Sequence, residues 1–105
     1  MKGAFAVSEL YELELGYWGL AGRVISGNLE AGMEARHDAI VIIIRELKAI
    51  EDPEKPLKRA RKGLKAVVVP LATVREVLEV CIGQTLEFED VRSVPIAQPM
   101  AVGVQ

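Results

Sequence analysis

Six cations fall within eleven positions: Lys55, Lys58, Arg59, Arg61, Lys62 and Lys65, with no acidic residue among them. A run of this kind supplies the positive potential that attracts a phosphate backbone or an acidic partner, or else it forms a solvated loop. Outside it the chain keeps seven basic residues against fifteen acidic ones, so charge is strongly segregated along the sequence. The overall isoelectric point near 5.4 argues against indiscriminate nucleic-acid affinity. No aromatic residue interrupts the run; Tyr11, Tyr17 and Trp18 lie elsewhere. Charge without a stacking platform predicts attraction to RNA phosphates with little base readout.

The remaining reactive residue types make weaker constellations. His37 is the single histidine and is followed by Asp38. Neighbours on a strand point to opposite faces, so the pair is expected at a surface or an edge, with no general-base role. No second histidine offers a metal site, and no nucleophile–base motif is present. Cys81 sits between Val80 and Ile82 with no flanking base, which predicts a buried, inert thiol. Glu87, Glu89 and Asp90 read as the solvated acidic end of a last strand. No G-x-x-x-x-G-K-[ST] sequence occurs, so no nucleotide cradle is expected. The expectation is a binding module that is not an enzyme and carries no cofactor or metal.

The elements that must position these residues are mostly strands. Gly16, Gly19, Gly22, Gly27 and Gly32 are five of nine glycines in seventeen positions. Such density works against a long helix and suits strands that turn or bend around a small barrel. Strands are predicted over Phe5–Val7, Leu10–Leu15 and Leu20–Ile25, with Arg23 facing outward and Val24 inward. The β-branched run Ile40–Ile44 predicts a buried strand that turns or continues into a second one ending near Ile50. Asp52-Pro53-Glu54-Lys55-Pro56 is a loop. Leu57–Gly63 reads as a helical turn or a loop, and Ala66–Val69 as a buried strand stopped by Pro70. Val74, Val77, Leu78 and Cys81 have helical spacing, predicting a short helix over Thr73–Ile82 with Gly83 as its stop. Gln84–Phe88 returns to strand, and residues 91–105 form an extended tail.

Composition bounds the rest. The chain has 105 residues, half of them hydrophobic and 27% charged, the make-up of one folded domain. The longest apolar stretch, Ala39–Ile44, ends at Arg45, too short for a membrane helix. Glu9, Glu12 and Glu14 interrupt any signal-peptide core, and a lone cysteine excludes an internal disulfide. These features place the expected protein in the cytoplasm. Four side-chain amides against 28 charged residues is a thermophile-like balance.

From Gly22 to Glu34 the chain reads G-R-V-I-S-G-N-L-E-A-G-M-E. This resembles the signature hairpin of domain II of the translational GTPases, the β-barrel that follows the nucleotide domain in elongation factor Tu and initiation factors. Gly16-Tyr17-Trp18-Gly19 is similar to that family's small glycine turn before the same strand. Ala60-Arg61-Lys62-Gly63 falls where the family has an A-x-x-G turn leading to a central strand, and Gly83-Gln84-Thr85-Leu86 resembles its G-x-x-L start of the last strand. The resemblance spans about Phe5 to Phe88. It implies an all-β fold, a small closed antiparallel barrel over residues 1–90 with one short helix, and structural turns at Gly22, Gly27, Gly32, Gly63 and Gly83. It also implies a binding role without GTP hydrolysis, since the nucleotide domain is missing. In that family domain II contacts the nucleotide domain, aminoacyl-tRNA ends or ribosomal RNA. The expected partner is therefore tRNA or rRNA; the alternative is a protein partner or a second copy of the chain.

Overall fold

The computed structural model describes residues 1–14, 16–52, 54–71 and 74–90; the tail expected over 91–105 lies outside the described residues. Its strands are β1 (Lys2–Glu14), β2 (Tyr17–Glu30), β3 (Met33–His37), β4 (Ile40–Ala49), β5 (Pro56–Leu57), β6 (Arg59–Arg61), β7 (Lys65–Pro70) and β8 (Thr85–Asp90), with one helix, α1 (Arg75–Glu79). Six strands pair antiparallel in the order β1-β8-β3-β4-β7-β2, and β1–β2 pairing closes the ring. The all-β closed antiparallel barrel with one short helix is the fold the sequence predicts.

Two-residue alternation sends one face of each strand into the barrel. Phe5, Val24, Leu29, Ile42, Ile44, Leu47, Val68, Leu86 and Phe88 form its interior. Burial of each such large side chain contributes about 1.5–3 kcal/mol. In a six-stranded ring this interior is narrow, and glycine is needed where backbones crowd. Gly22 illustrates the point and corrects an expectation. It lies inside β2 opposite Val7, not in a turn, and a Cβ there would strike the carbonyl oxygen of Ala6. Gly27 likewise lies inside β2, opposite Gly3, at φ 64°, whereas Gly32, Gly63 and Gly83 take positive φ in turns, between 82° and 95°.

Several elements differ from their predicted bounds. The predicted piece Phe5–Val7 and the described part of the next, Leu10 to Glu14, belong to one long strand, bent at register shifts near Phe5, Glu9 and Glu14. The stretch after Ile44 is a continuation of β4, and Arg45 is its bulged residue: Ile44 pairs Pro70 and Glu46 pairs Val69. Leu57–Gly63 forms neither a helical turn nor an open loop. Arg59-Ala60-Arg61 alternates exposed, buried, exposed, and this period of two favours the strand β6. β5 joins β4 and β6 joins β2, so this segment straps one end of the barrel, with Leu57 and Ala60 packed on the core. The helix is only Arg75–Glu79, with Leu78 buried; it lies between β7 and β8, at the opposite end from the strap.

Beyond the ring the β1–β2 hairpin continues over the outer face of the sheet. Tyr11, Leu13 and Ile50 pack there against Ala21, Val67 and Val69, forming a second small cluster. The bulges of β1 supply the bend this requires. That outer layer positions the grooves described next.

Candidate functional site

The strap and β2 bring much of the cationic run onto one flank. In the β2–β6 ladder Asn28 pairs with Arg61 and Glu30 with Arg59. Below it the turn Arg61–Leu64 is closed by the Leu64 amide donating to the Arg61 carbonyl at 3.0 Å. Gly63 takes φ 91° in that turn, and its amide donates to the Val24 carbonyl at 2.7 Å. The Lys62 amide donates to the Gly27 carbonyl at 3.1 Å. At the foot of the turn β7 begins, and Lys65 stands opposite Arg23.

The result is a ridge of Arg23, Lys65, Lys62 and Arg61 along β2, all exposed. Arg23 to Asn28 is five residues of strand, about 16 Å. Among the described residues none of the four has a carboxylate within ion-pairing distance. The Arg23 guanidinium donates to the Gly63 carbonyl at 3.3 Å, which aims it along the turn. Ile25 and Leu64, 43% and 40% exposed, stand among these cations. A hollow of about 300 Å³ lies beside Arg23 and Lys65, with Ile50, Glu51 and Leu64 on its walls.

The structure divides the six cations of the run. Arg59 pairs with the Glu30 carboxylate across the ladder, so its charge is largely compensated. Lys55 belongs to the turn after Asp52, where its amide donates to the Asp52 carbonyl at 2.9 Å, and it lies among Asp52 and Glu54. Lys58 is exposed at the crossing between β5 and β6. Arg61, Lys62 and Lys65 are brought together, and Arg23, from outside the run, joins them. Sequence reasoning placed Arg23 outward but not beside Lys65; only the β2–β7 register shows that.

A second feature was hidden in the sequence. The overhanging hairpin and β4 enclose a groove of about 560 Å³, lined by Tyr11, Glu12, Leu13, Tyr17, Arg45, Glu46, Lys48 and Glu54. The Arg45 guanidinium lies 4.9 Å from the Tyr17 ring centroid, a cation–π stack. Lys48 Nζ is 3.1 Å from Glu46. Alternation after inward Ile44 puts Arg45 on the outer face, and the bulge keeps Glu46 on that face before Leu47 turns inward. No local motif announces this, since Tyr17 and Arg45 are far apart in the chain.

The other candidates lie apart from the ridge and the groove. Cys81 is fully buried, and burial pushes its thiol pKa up, which suppresses the thiolate. His37 closes β3 before the two-residue turn Asp38-Ala39, with Nε2 at 3.8 Å from the Asp38 carboxylate. Glu87 and Glu89 face outward on β8, and Asp90 holds the Met1 ammonium at 2.9 Å. Among the described residues no group of three potential ligands is arranged for a metal ion. Trp18 packs on the core with Arg75 at 5.1 Å over its ring. No helix among the described residues is long and apolar enough to cross a membrane.

The fold and its cationic flank thus define a closed six-stranded β-barrel with an outward basic ridge. Compared with known proteins, the chain matches no family model and no curated sequence.

Proposed function

We propose that the protein is a non-enzymatic binding module that holds RNA, of the tRNA or ribosomal kind, through the phosphates of its backbone. The observation that carries this reading is the Arg23–Arg61–Lys62–Lys65 ridge, four exposed cations without carboxylate partners among the described residues. Two of them, Arg23 and Lys65, face one another across a ladder, an arrangement that an intervening anion relieves. The resemblance of the Gly22–Glu34 hairpin to domain II of the translational GTPases, together with the barrel, supports an RNA-associated role in the cytoplasm without nucleotide hydrolysis. Binding of the purified chain to total tRNA and ribosomal RNA tests it. A variant with glutamine at Arg23, Arg61, Lys62 and Lys65 is expected to bind all of them more weakly and to the same degree. Equal binding by the variant, or none by either protein, overturns the proposal.

A second reading, a protein-interaction domain or homo-oligomer, has one observation in its favour. Around α1 the side chains of Leu71, Val74, Val80 and Ile82 are 43–61% exposed. Light scattering on the full chain and on a variant with serine at Val74 and Val80 separates the readings. An oligomer that the substitutions dissolve supports this one.

A further inference from the structure

We infer that the groove beneath the β1–β2 hairpin receives one unpaired base of the RNA strand held by the ridge, and that it favours guanine. This inference rests on the RNA reading above and adds a base-reading element to it.

The starting point is the composition of the groove. Tyr17 is 47% exposed and already stacked by Arg45, and Tyr11 stands on the same wall. Planar aromatic and guanidinium groups are the surfaces on which unstacked bases settle. The volume of about 560 Å³ admits a nucleoside. Lys48 is satisfied by Glu46, whereas Glu12 and Glu54 have no cationic partner among the described residues. Two carboxylates on the rim repel free phosphate and accept hydrogen bonds from N–H groups. Guanine alone among the four bases presents two adjacent donors, N1–H and the exocyclic amine, to one carboxylate. Adenine and cytosine place a ring acceptor beside their amine, and uracil flanks its single N–H with carbonyls.

Position supports the same conclusion. Lys48 of the groove pairs with Val67 in the β4–β7 ladder, and Lys65 of the ridge lies two residues away on β7, about 7 Å along the strand. Ala49 and Ile50, next in the chain after Lys48, line the hollow beside Arg23 and Lys65. Groove and ridge are therefore consecutive stations on one outer face. Tyr17 stands six residues before Arg23 on β2, about 20 Å along the strand, so an RNA strand with a phosphate on Arg23 and Lys65 brings a base a few nucleotides further along to Tyr17. Duplex RNA keeps its bases stacked and cannot do so, which makes the site selective for single strands.

Fluorescence anisotropy with labelled uridine hexamers, either uniform, with one central guanosine, or with one central abasic position, tests the inference. The guanosine hexamer is expected to bind about tenfold more tightly than the uniform one. Tyr17→Leu and Glu12→Gln should each remove most of that ratio and leave the abasic hexamer unaffected. The glutamine variant of the ridge should weaken all three hexamers and keep the ratio. Equal affinity for guanosine and uridine hexamers, or a Tyr17→Leu variant that weakens the abasic hexamer equally, overturns the inference. If no hexamer binds, the RNA reading falls. The groove is then judged by the nucleosides guanosine and uridine, which carry no phosphate, on the tyrosine ring NMR signals. Shifts with guanosine alone uphold its base preference; no shifts refute it.

Discussion

Lys65 stands directly opposite Arg23 in the β2–β7 ladder, two exposed like charges on neighbouring strands. Such pairs destabilise a sheet, whereas opposite charges at facing positions contribute about 0.2–1 kcal/mol. Lys65→Glu is therefore expected to raise the melting temperature in low salt, while it weakens RNA binding. Added salt should stabilise the wild type more than the variant, because it screens the Arg23–Lys65 repulsion. Calorimetry at two ionic strengths checks both signs. An unchanged or lower melting temperature in Lys65→Glu would count against the strain argument.

Arg59 and Arg61 flank Ala60 on the same strand, yet they should behave differently. Arg59 is engaged by Glu30, and removing one member of such an exposed pair costs at most about 1 kcal/mol. Arg61 has no charged partner among the described residues. Arg59→Gln should lower stability slightly with little effect on RNA affinity, and Arg61→Gln the reverse. Denaturant titrations beside binding curves make the comparison. Equal effects of the two substitutions on affinity would mean that Glu30 does not neutralise Arg59.

Gly22 and Gly32 separate two reasons for glycine. At Gly22 an added methyl group meets the backbone of Ala6 across the β1–β2 seam, and neither strand can move without opening the ring. Gly22→Ala should cost about 3 kcal/mol, the upper end of the overpacking range. Gly32 has φ 95° with open space around it, so Gly32→Ala should cost about 1–2 kcal/mol from backbone strain alone. Urea denaturation orders them. A smaller loss at Gly22 than at Gly32 would argue against tight closure at that seam.

Cys81 gives a pH-dependent readout of core integrity. Burial raises its thiol pKa above 9.0, so the unfolded chain loses this proton at lower pH than the native one. The unfolded state then binds fewer protons, and stability should fall as pH rises past the ordinary thiol value, with no thiol contribution below it. A thiol reagent should label native Cys81 only at the rate of unfolding. Rapid labelling of the folded protein at neutral pH would show that the site is open.

The sequence discloses some of this arrangement and conceals the rest for physical reasons. The β-branched run Ile40–Ile44 and the outward Arg23 beside inward Val24 were legible because strand alternation is local. The glycine turns at Gly32, Gly63 and Gly83 were legible because positive φ selects a residue type, while Gly27 proved to be a strand residue. Gly22 was misplaced because a glycine spared for close approach looks the same as one spared for φ. The strap was missed because β5 and β6 are only two and three residues long, so the alternation of Arg59-Ala60-Arg61 becomes decisive only once β2 is seen beside it. The neutralisation of Arg59 by Glu30, the pairing of Arg23 with Lys65, and the Tyr17–Arg45 stack depend on register between distant segments. A one-dimensional charge count therefore overstated the cationic run by Arg59 and omitted Arg23.

The central claim is that the ridge binds RNA through phosphates, and its salt dependence is the most direct measurement. With four cations each neutralising a phosphate on a single strand, the logarithm of affinity should fall with the logarithm of salt concentration at a slope of about −3. Replacing Arg61 and Lys62 with neutral glutamine should bring that slope to about −1.4, for uniform and mixed-sequence RNA alike. A slope near zero in the wild type, or one that the two substitutions leave unchanged, would contradict the account.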